Sequence, residues 1–164
     1  MKINEAWLRD LVGEKLSSIK LEDVLTKLGL EVDKAEPVCD RGISGVICCL
    51  IKEIRRHPKN KNLSVCVVEA DNHDNVTVVC GANNIFVGAK AILAPVDALV
   101  ADSKVKSKDI AGVISYGFLC SAEELGLENQ SDGVMLLSQD CEVGVDIRQL
   151  IELSDCILDI DLTP

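Results

Sequence analysis

The chain has 164 residues, 48% of them apolar, and 17 Lys and Arg against 27 Asp and Glu give it a net charge of −10. That apolar fraction supplies a packed core and argues against a disordered chain; the length fits one ordinary domain or one domain carrying an insertion. The acidic balance excludes a surface that grips nucleic acid on all sides and leaves room only for a local basic patch. Four aromatic residues, Trp7, Phe86, Tyr116 and Phe118, are sparse material for base stacking.

Asn4 is an N-cap for a first short helix, with Trp7, Leu8 and Leu11 along one side. This places Trp7 in a core. A second helix fits Leu21 to Leu28, with Leu21, Val24, Leu25 and Leu28 on its apolar face and Gly29 as the stop. LEVDKAEPV then reads as a strand that Pro37 ends. From about residue 40 the texture changes to β-rich runs at short intervals: GVICCLIKEIRR, LSVCVVEAD, VTVVC and AILAPV, punctuated by HPKNKN, DNHDN, GANN and VGAK. Such repeated short strands indicate a sandwich or barrel. Further strand-like pieces lie in ALVADSKVKSKDIAGVISYGFLCS. Ser121 to Glu124 has the capping-box form and predicts a short helix over Ala122 to Leu125, stopped by Gly126. GVMLLS is a last strand of the block, and Asp146 caps a helix through IRQLIEL. ILDIDLTP closes the sequence in strict alternation.

Strands 30–37 and 157–162 have no partner near them in sequence, and each is too short to stand alone. Pairing them joins both flanks into one small subdomain. The expected fold is mainly β with α+β flanks: a β-barrel domain, residues 40–149, inserted into a discontinuous α/β subdomain made of 1–39 and 150–164.

The chemistry-bearing patterns are thin. No run of 18 apolar residues spans a membrane, and MKINEAWLRDLVGEK lacks the apolar stretch of a secretory signal. The eight cysteines, at 39, 48, 49, 66, 80, 120, 141 and 156, include no C-x-x-C pair. Several sit in apolar runs, where Cys serves as a small hydrophobe. Reduced, mostly buried thiols in a cytoplasmic protein are the expectation. His57 and His73 are isolated, so no metal site is expected. No phosphate-binding glycine loop and no nucleophile motif is present, so no catalytic residue is expected. His57 precedes Pro58 and reads as a turn residue. Glu123 and Glu124 are adjacent and do not face one another, so they form no acid–base pair.

The stretch GVICCLIKEIRRHPKNKNLSVCVVEAD, then VVCGANN, VGAKAILAPVDALV and SYGFLCSAEELGL, resembles the OB-type tRNA-binding domain of the bacterial phenylalanyl-tRNA synthetase β-subunit family. The flanks MKINEAWLRDLV, LTKLGLEVDKAEPV and ILDIDLTP resemble the small discontinuous domain that carries it. The resemblance implies an N-terminal tRNA-binding region, non-catalytic by itself. In the whole enzyme it would assist the ATP- and magnesium-dependent ligation of phenylalanine to its tRNA. The implied partners are tRNA specific for phenylalanine and the synthetase α subunit in an α2β2 assembly, with no membrane. The sequence departs from the family turn at Asn62 and Ser64, where basic residues are usual. Cys80-Gly81-Ala82-Asn84 and Gly117-Leu119-Cys120-Ser121 keep the family form; Gly81 and Gly117 are expected to permit tight backbone turns, and Cys80 and Cys120 to be core thiols.

Two local positive clusters stand out against the charge of the whole. Arg55, Arg56, Lys59 and Lys61 follow the first strand of the block, and Lys104, Lys106 and Lys108 alternate so as to share one strand face. OB barrels hold their ligands on strands two and three and on the loops joining strands one to two and four to five. These seven residues are the candidate RNA contacts. Phe86, Tyr116 and Phe118 are counted toward the core, which leaves electrostatics as the means of binding. The competing reading, favoured by the low aromatic count and the basic positions lost at Asn62 and Ser64, is a structural or subunit-contact module with little RNA affinity; eleven basic against fifteen acidic residues over 40–149 leave the barrel at −4, so only local positive potential attracts phosphate.

Overall fold

The computed structural model describes residues 1–13, 20–37, 42–70, 74–151 and 155–161. In chain order its elements are β1 (Lys2–Asn4), α1 (Glu5–Val12), α2 (Leu21–Lys27), β2 (Glu31–Pro37), β3 (Ile47–Arg56), β4 (Ser64–Glu69), β5 (Asn75–Cys80) and β6 (Lys90–Pro95). They continue with β7 (Leu99–Val100), β8 (Ser103–Lys104), β9 (Lys108–Ile110), β10 (Val113–Ser115), β11 (Gly117–Leu119), β12 (Leu136–Leu137), α3 (Ile147–Leu150) and β13 (Cys156–Asp161). Two compact units divide the chain, one of Met1–Asp40 with Glu152–Pro164 and the other of Arg41–Ile151.

In the smaller unit the two partnerless strands find each other: β13 pairs antiparallel with β2, Leu158 opposite Ala35 and Ile160 opposite Val32, with β1 on its other side. The alternation of β13 has its reason here, because Leu158 and Ile160 are fully buried against Leu21 and Leu25 of α2. Asn4 caps α1, its side-chain oxygen accepting the Trp7 N–H at 2.8 Å, and Gly29 follows α2 at φ +86. Trp7 departs from expectation. It is 59% exposed, because only Leu8 packs on the core, and Leu11 follows Trp7 around the helix while Leu8 lies about 100° away.

The larger unit is an antiparallel path β11-β6-β3-β4-β5, with β12 pairing β6 as well. The ends of the path meet where the Tyr116 N–H donates to the Thr77 carbonyl at 2.9 Å and the Ser115 hydroxyl accepts the Val79 N–H at the same distance. The result is a nearly closed, OB-type barrel. Its core is built from aliphatic side chains and thiols, with Cys49, Ile51, Cys66, Val68, Val78, Ala91 and Leu93 at its centre. Among the described residues no aromatic ring is fully buried. A bulge at Lys52 shifts the register of β3 against β4. Before it Cys49 and Ile51 point inward, after it Ile54 does, and Glu53 and Arg55 join the outward row opposite Val67 and Val65.

Gly117 is fixed by close approach. It sits at φ +132 in β11, and an added Cβ would fall on the Ala94 carbonyl oxygen and 2.9 Å from Pro95 Cα. Gly81 has no such constraint, its nearest neighbour being Leu63 Cδ2 at 3.4 Å, so the turn expected there does not depend on glycine. The capping box at Ser121 forms: the Ser121 hydroxyl accepts the Glu124 N–H at 3.2 Å and Glu124 accepts the Ser121 N–H at 2.8 Å. The helix expected after it is a set of hydrogen-bonded turns, because Gly126 at φ +73 ends it after one turn. Asp146 caps α3 through the Arg148 N–H at 2.9 Å.

Seven cysteines, at 48, 49, 66, 80, 120, 141 and 156, are free thiols, and the first five are buried. Cys39 and His73, the 38–41 segment and Leu162 to Pro164 lie outside the described residues. No helix among the described residues is long and apolar enough to cross a membrane.

Candidate nucleic-acid interface

Along the path, β3, β4, β5, β6 and β11 take the places of OB strands one to five. The one–two loop is then 57–63 and the four–five connection 96–116. These are the two loops on which OB barrels hold oligonucleotides, and here a histidine ties them together. His57 is buried. Its Nδ1 accepts the N–H groups of Lys59 and Asn60, at 3.2 and 3.1 Å. The proton therefore sits on Nε2, which donates to the Ile110 carbonyl at 2.8 Å. The His57 N–H donates to Leu63 O at 3.0 Å and closes the loop base. Lys59 is thereby carried to the tip of the β9–β10 hairpin, where its Nζ lies 3.0 Å from where a Cβ on Gly112 would be. The expectation of a turn role for His57 holds, and the turn also couples two loops.

The four–five connection is two hairpins. β7–β8 turns at Ala101 and Asp102, at φ 49 and 58. β9–β10 turns at Ala111 and Gly112, at φ 52 and 94. Both are two-residue turns of the primed kind that match strand twist. This construction separates the three lysines that alternation placed on one strand face. Lys104 lies in β8, Lys106 between the hairpins and Lys108 in β9. Val105 is buried between Lys104 and Lys106, its N–H donating to Ala98 O at 2.8 Å.

Charge pairing sorts the seven candidates. Arg55 is ion-paired with Glu53, and that carboxylate raises the guanidinium's pKa further. Lys104 pairs with Asp97 at 2.9 Å. Nearby, Lys52 is engaged by the buried Glu69. Arg56, Lys59, Lys61, Lys106 and Lys108 are exposed and have no carboxylate partner among the described residues. Four of these five lie in the two loops or the β9 strand that His57 joins.

Sequence reasoning missed the aromatic exposure. Tyr116 is 49% exposed and Phe86 55%, against the expectation that both fill the core. A signal for Tyr116 was available: Ser115, Gly117 and Leu119 are the buried members of a period-two pattern in which 116 faces out.

Elsewhere on the barrel the charge reverses. Residues 121–142 carry six carboxylates and no Lys or Arg. Three of them, Glu123, Glu124 and Asp132, line a cleft of about 960 Å³. Asn84 shapes its wall: Nδ2–H donates to Val134 O at 2.8 Å and Oδ1 accepts the Val134 N–H at 3.1 Å. Like charge in that segment disfavours a polyanion there. No group of three or more His, Cys, Asp or Glu suited to a metal ion occurs among the described residues.

The chain is 43% identical over its whole length to the phenylalanine–tRNA ligase beta subunit of Francisella tularensis subsp. tularensis. It is 44% identical to that of Hahella chejuensis and 40% identical to that of Acinetobacter baylyi. It spans 21% of the length of each of these relatives. Residues 46–146 match the family described as "Putative tRNA binding domain", and the chain, with its OB-type barrel, belongs to that family.

Proposed function

We propose that the chain is the tRNA-contacting N-terminal region of a phenylalanine–tRNA ligase β subunit. The single observation that carries the reading is the His57–Ile110 hydrogen bond, which holds the one–two and four–five loops together with Lys59, Lys61 and Lys108 on them. Arg56 at the end of β3 and Lys106 extend the patch. Arg55 and Lys104 contribute where phosphate displaces Glu53 and Asp97. The work done is attraction and orientation: cations take up phosphate oxygens and release condensed counterions, and the barrel supplies shape. Ligation belongs to the whole enzyme, in which an α subunit completes an α2β2 assembly in the cytoplasm. ATP and magnesium are consumed or held there, and no step of that reaction is assigned to these residues.

The second reading, a structural or subunit-contact module, is favoured by one feature, the carboxylate-rich 121–142 segment. Titrating the chain with tRNA at low and moderate salt separates the two. Binding that weakens steeply with salt and is lost on replacing Arg56, Lys59 and Lys61 supports RNA contact. Absence of binding at low salt supports the structural module.

A further inference from the structure

We propose that Cys48 and Cys141 are a redox-sensitive thiol pair, closed to a disulfide by hydrogen peroxide, that fastens the 138–145 segment across the outside of the barrel. Three observations carry it, none of which involves the RNA-contact reading.

First, Cys48 faces away from the barrel core and is still fully buried. Cys49 and Ile51 are the inward members of β3. Cys48 and Leu50 therefore face outward, with Ile92 and Lys90 of β6 opposite them. The cover is the chain between β12 and α3. It leaves β12, which pairs β6 at Ala91 and Lys90 on the side away from β3. It rejoins the sheet on the other side of β3, where the Cys48 N–H donates to Val145 O at 2.9 Å and the Gly144 N–H donates to Cys48 O at 2.8 Å. Residues 138–143 thus pass over the outward face of β6 and β3.

Second, Lys90 holds Cys141 above Cys48. Its ammonium, rising from that outward face, donates to the carbonyls of Gln139, at 2.5 Å, and of Cys141. The two sulfurs are within electrostatic reach: burial raises the Cys48 thiol most, charge at Cys141 raises it further, and Lys90 opposes both.

Third, access divides the pair. Cys141 is partly exposed, so oxidant meets it first, and Cys48 lies beneath it without solvent contact. Cys49, Cys66 and Cys80 point into the barrel core and Cys120 is fully buried, which shields them. The Cys141 sulfur attacks one peroxide oxygen, the O–O bond breaks, and the leaving hydroxide takes the thiol proton to give water and a sulfenic acid. The Cys48 sulfur then attacks the Cys141 sulfur, the S–O bond breaks, and the second hydroxide takes the Cys48 proton and leaves as water. The two thiols give up two electrons and the peroxide accepts them.

The folded 164-residue chain is treated with hydrogen peroxide, unfolded in excess alkylating agent and digested without reductant. The expected product is a Cys48–Cys141 linked peptide lighter by two hydrogens, with two of the eight thiols lost to alkylation and regained with dithiothreitol. Cys141→Ser, a change at a partly exposed turn, is expected to give no linked peptide and to leave Cys48 alkylatable. Cys48→Ala is expected to stop at the Cys141 sulfenic acid, trapped by dimedone. Eight alkylatable thiols in the treated parent, Cys141 carried to the sulfinic acid with Cys48 still free, or a linkage between any other two cysteines overturns the pair. A urea midpoint that falls on oxidation also overturns it, because a poised pair closes without distorting the segment that it fastens.

Discussion

His57 donates its Nε2 proton to the carbonyl of Ile110, 53 residues further along the chain and 2.8 Å away. The same ring accepts two N–H groups of its own loop through Nδ1. One imidazole therefore shapes the one–two loop and fastens it to the four–five connection. The two roles separate by substitution. His57→Ala removes both and is expected to cost about 1–3 kcal/mol of stability, as buried backbone groups lose partners. His57→Asn keeps an oxygen close enough to cap the Lys59 and Asn60 N–H groups but does not reach Ile110. It is expected to unfold in urea at a denaturant concentration between those of the parent and His57→Ala, and to bind tRNA more weakly than the parent, since the loops no longer move as one.

Gly117 and Gly81 look alike in the sequence and behave oppositely in the fold. At Gly117 a Cβ meets Ala94 and Pro95 across the β6–β11 pair, at a φ that L-residues avoid. Gly117→Ala is expected to cost about 2–5 kcal/mol, combining strain with overpacking. Gly81→Ala meets only the end of the Leu63 side chain and is expected to change stability by less than about 0.5 kcal/mol. Urea unfolding of the two variants beside the parent checks both.

The two hairpin turns hold alanine in the left-handed region, at Ala101 and Ala111. A Cβ costs about 1–2 kcal/mol there, and asparagine tolerates the conformation better. Ala101→Asn and Ala111→Asn are each expected to raise stability by about 0.5–1 kcal/mol. The sites are in separate hairpins, so the gains should add. A thermal melt of the double variant that shows no increase would count against this account of the turns.

Burial pushes the Cys49 and Cys66 thiols up from the ordinary 9.0 to about 12, and raises those of Cys48, Cys80 and Cys120. Between about 9 and 12 the unfolded chain has shed the Cys49 and Cys66 protons while the folded chain keeps them. The unfolded state then binds fewer protons, so unfolding becomes easier as pH rises through that window. Stability is expected to be insensitive to these thiols below pH 9 and to fall above it. Replacing Cys49 and Cys66 by Ala should flatten the alkaline limb of the stability curve.

The strand ladder was legible because each run alternates or is apolar throughout, and because turn residues separate the runs. The β2–β13 pairing was legible because two short strands had no other partner. The caps at Asn4, Ser121 and Asp146 were legible from residue type alone. The rest depended on events between elements. The bulge at Lys52 reverses which side chains of β3 face out, and nothing in KEIRR marks it. Trp7 needed knowledge of where Leu8 would dock. The lysine alternation over 104–108 was real, yet the chain breaks it into two hairpins, and Asp97 neutralises Lys104. His57 was read as a local turn residue because its partner at Ile110 is invisible to any short window.

Electrostatic binding gives the sharpest test of the patch as a whole. Three or four phosphate contacts predict a log–log salt slope of roughly −2 to −4, at about 0.7–0.9 per contact. Paired and unpaired cations should not count equally. Arg56, Lys59 and Lys61 have no carboxylate partner among the described residues, so the triple alanine variant is expected to flatten the slope by about 2–3 and to weaken binding alike for every tRNA sequence. Lys104 is held by Asp97, and a phosphate must displace that carboxylate before a counterion is released. Lys104→Ala is therefore expected to change the slope by less than half a contact's worth. Asp97→Ala frees the lysine and should steepen it. Anisotropy titrations of the parent and the three variants between about 50 and 200 mM salt resolve these differences. A slope unaltered in the triple variant would place the RNA elsewhere on the barrel.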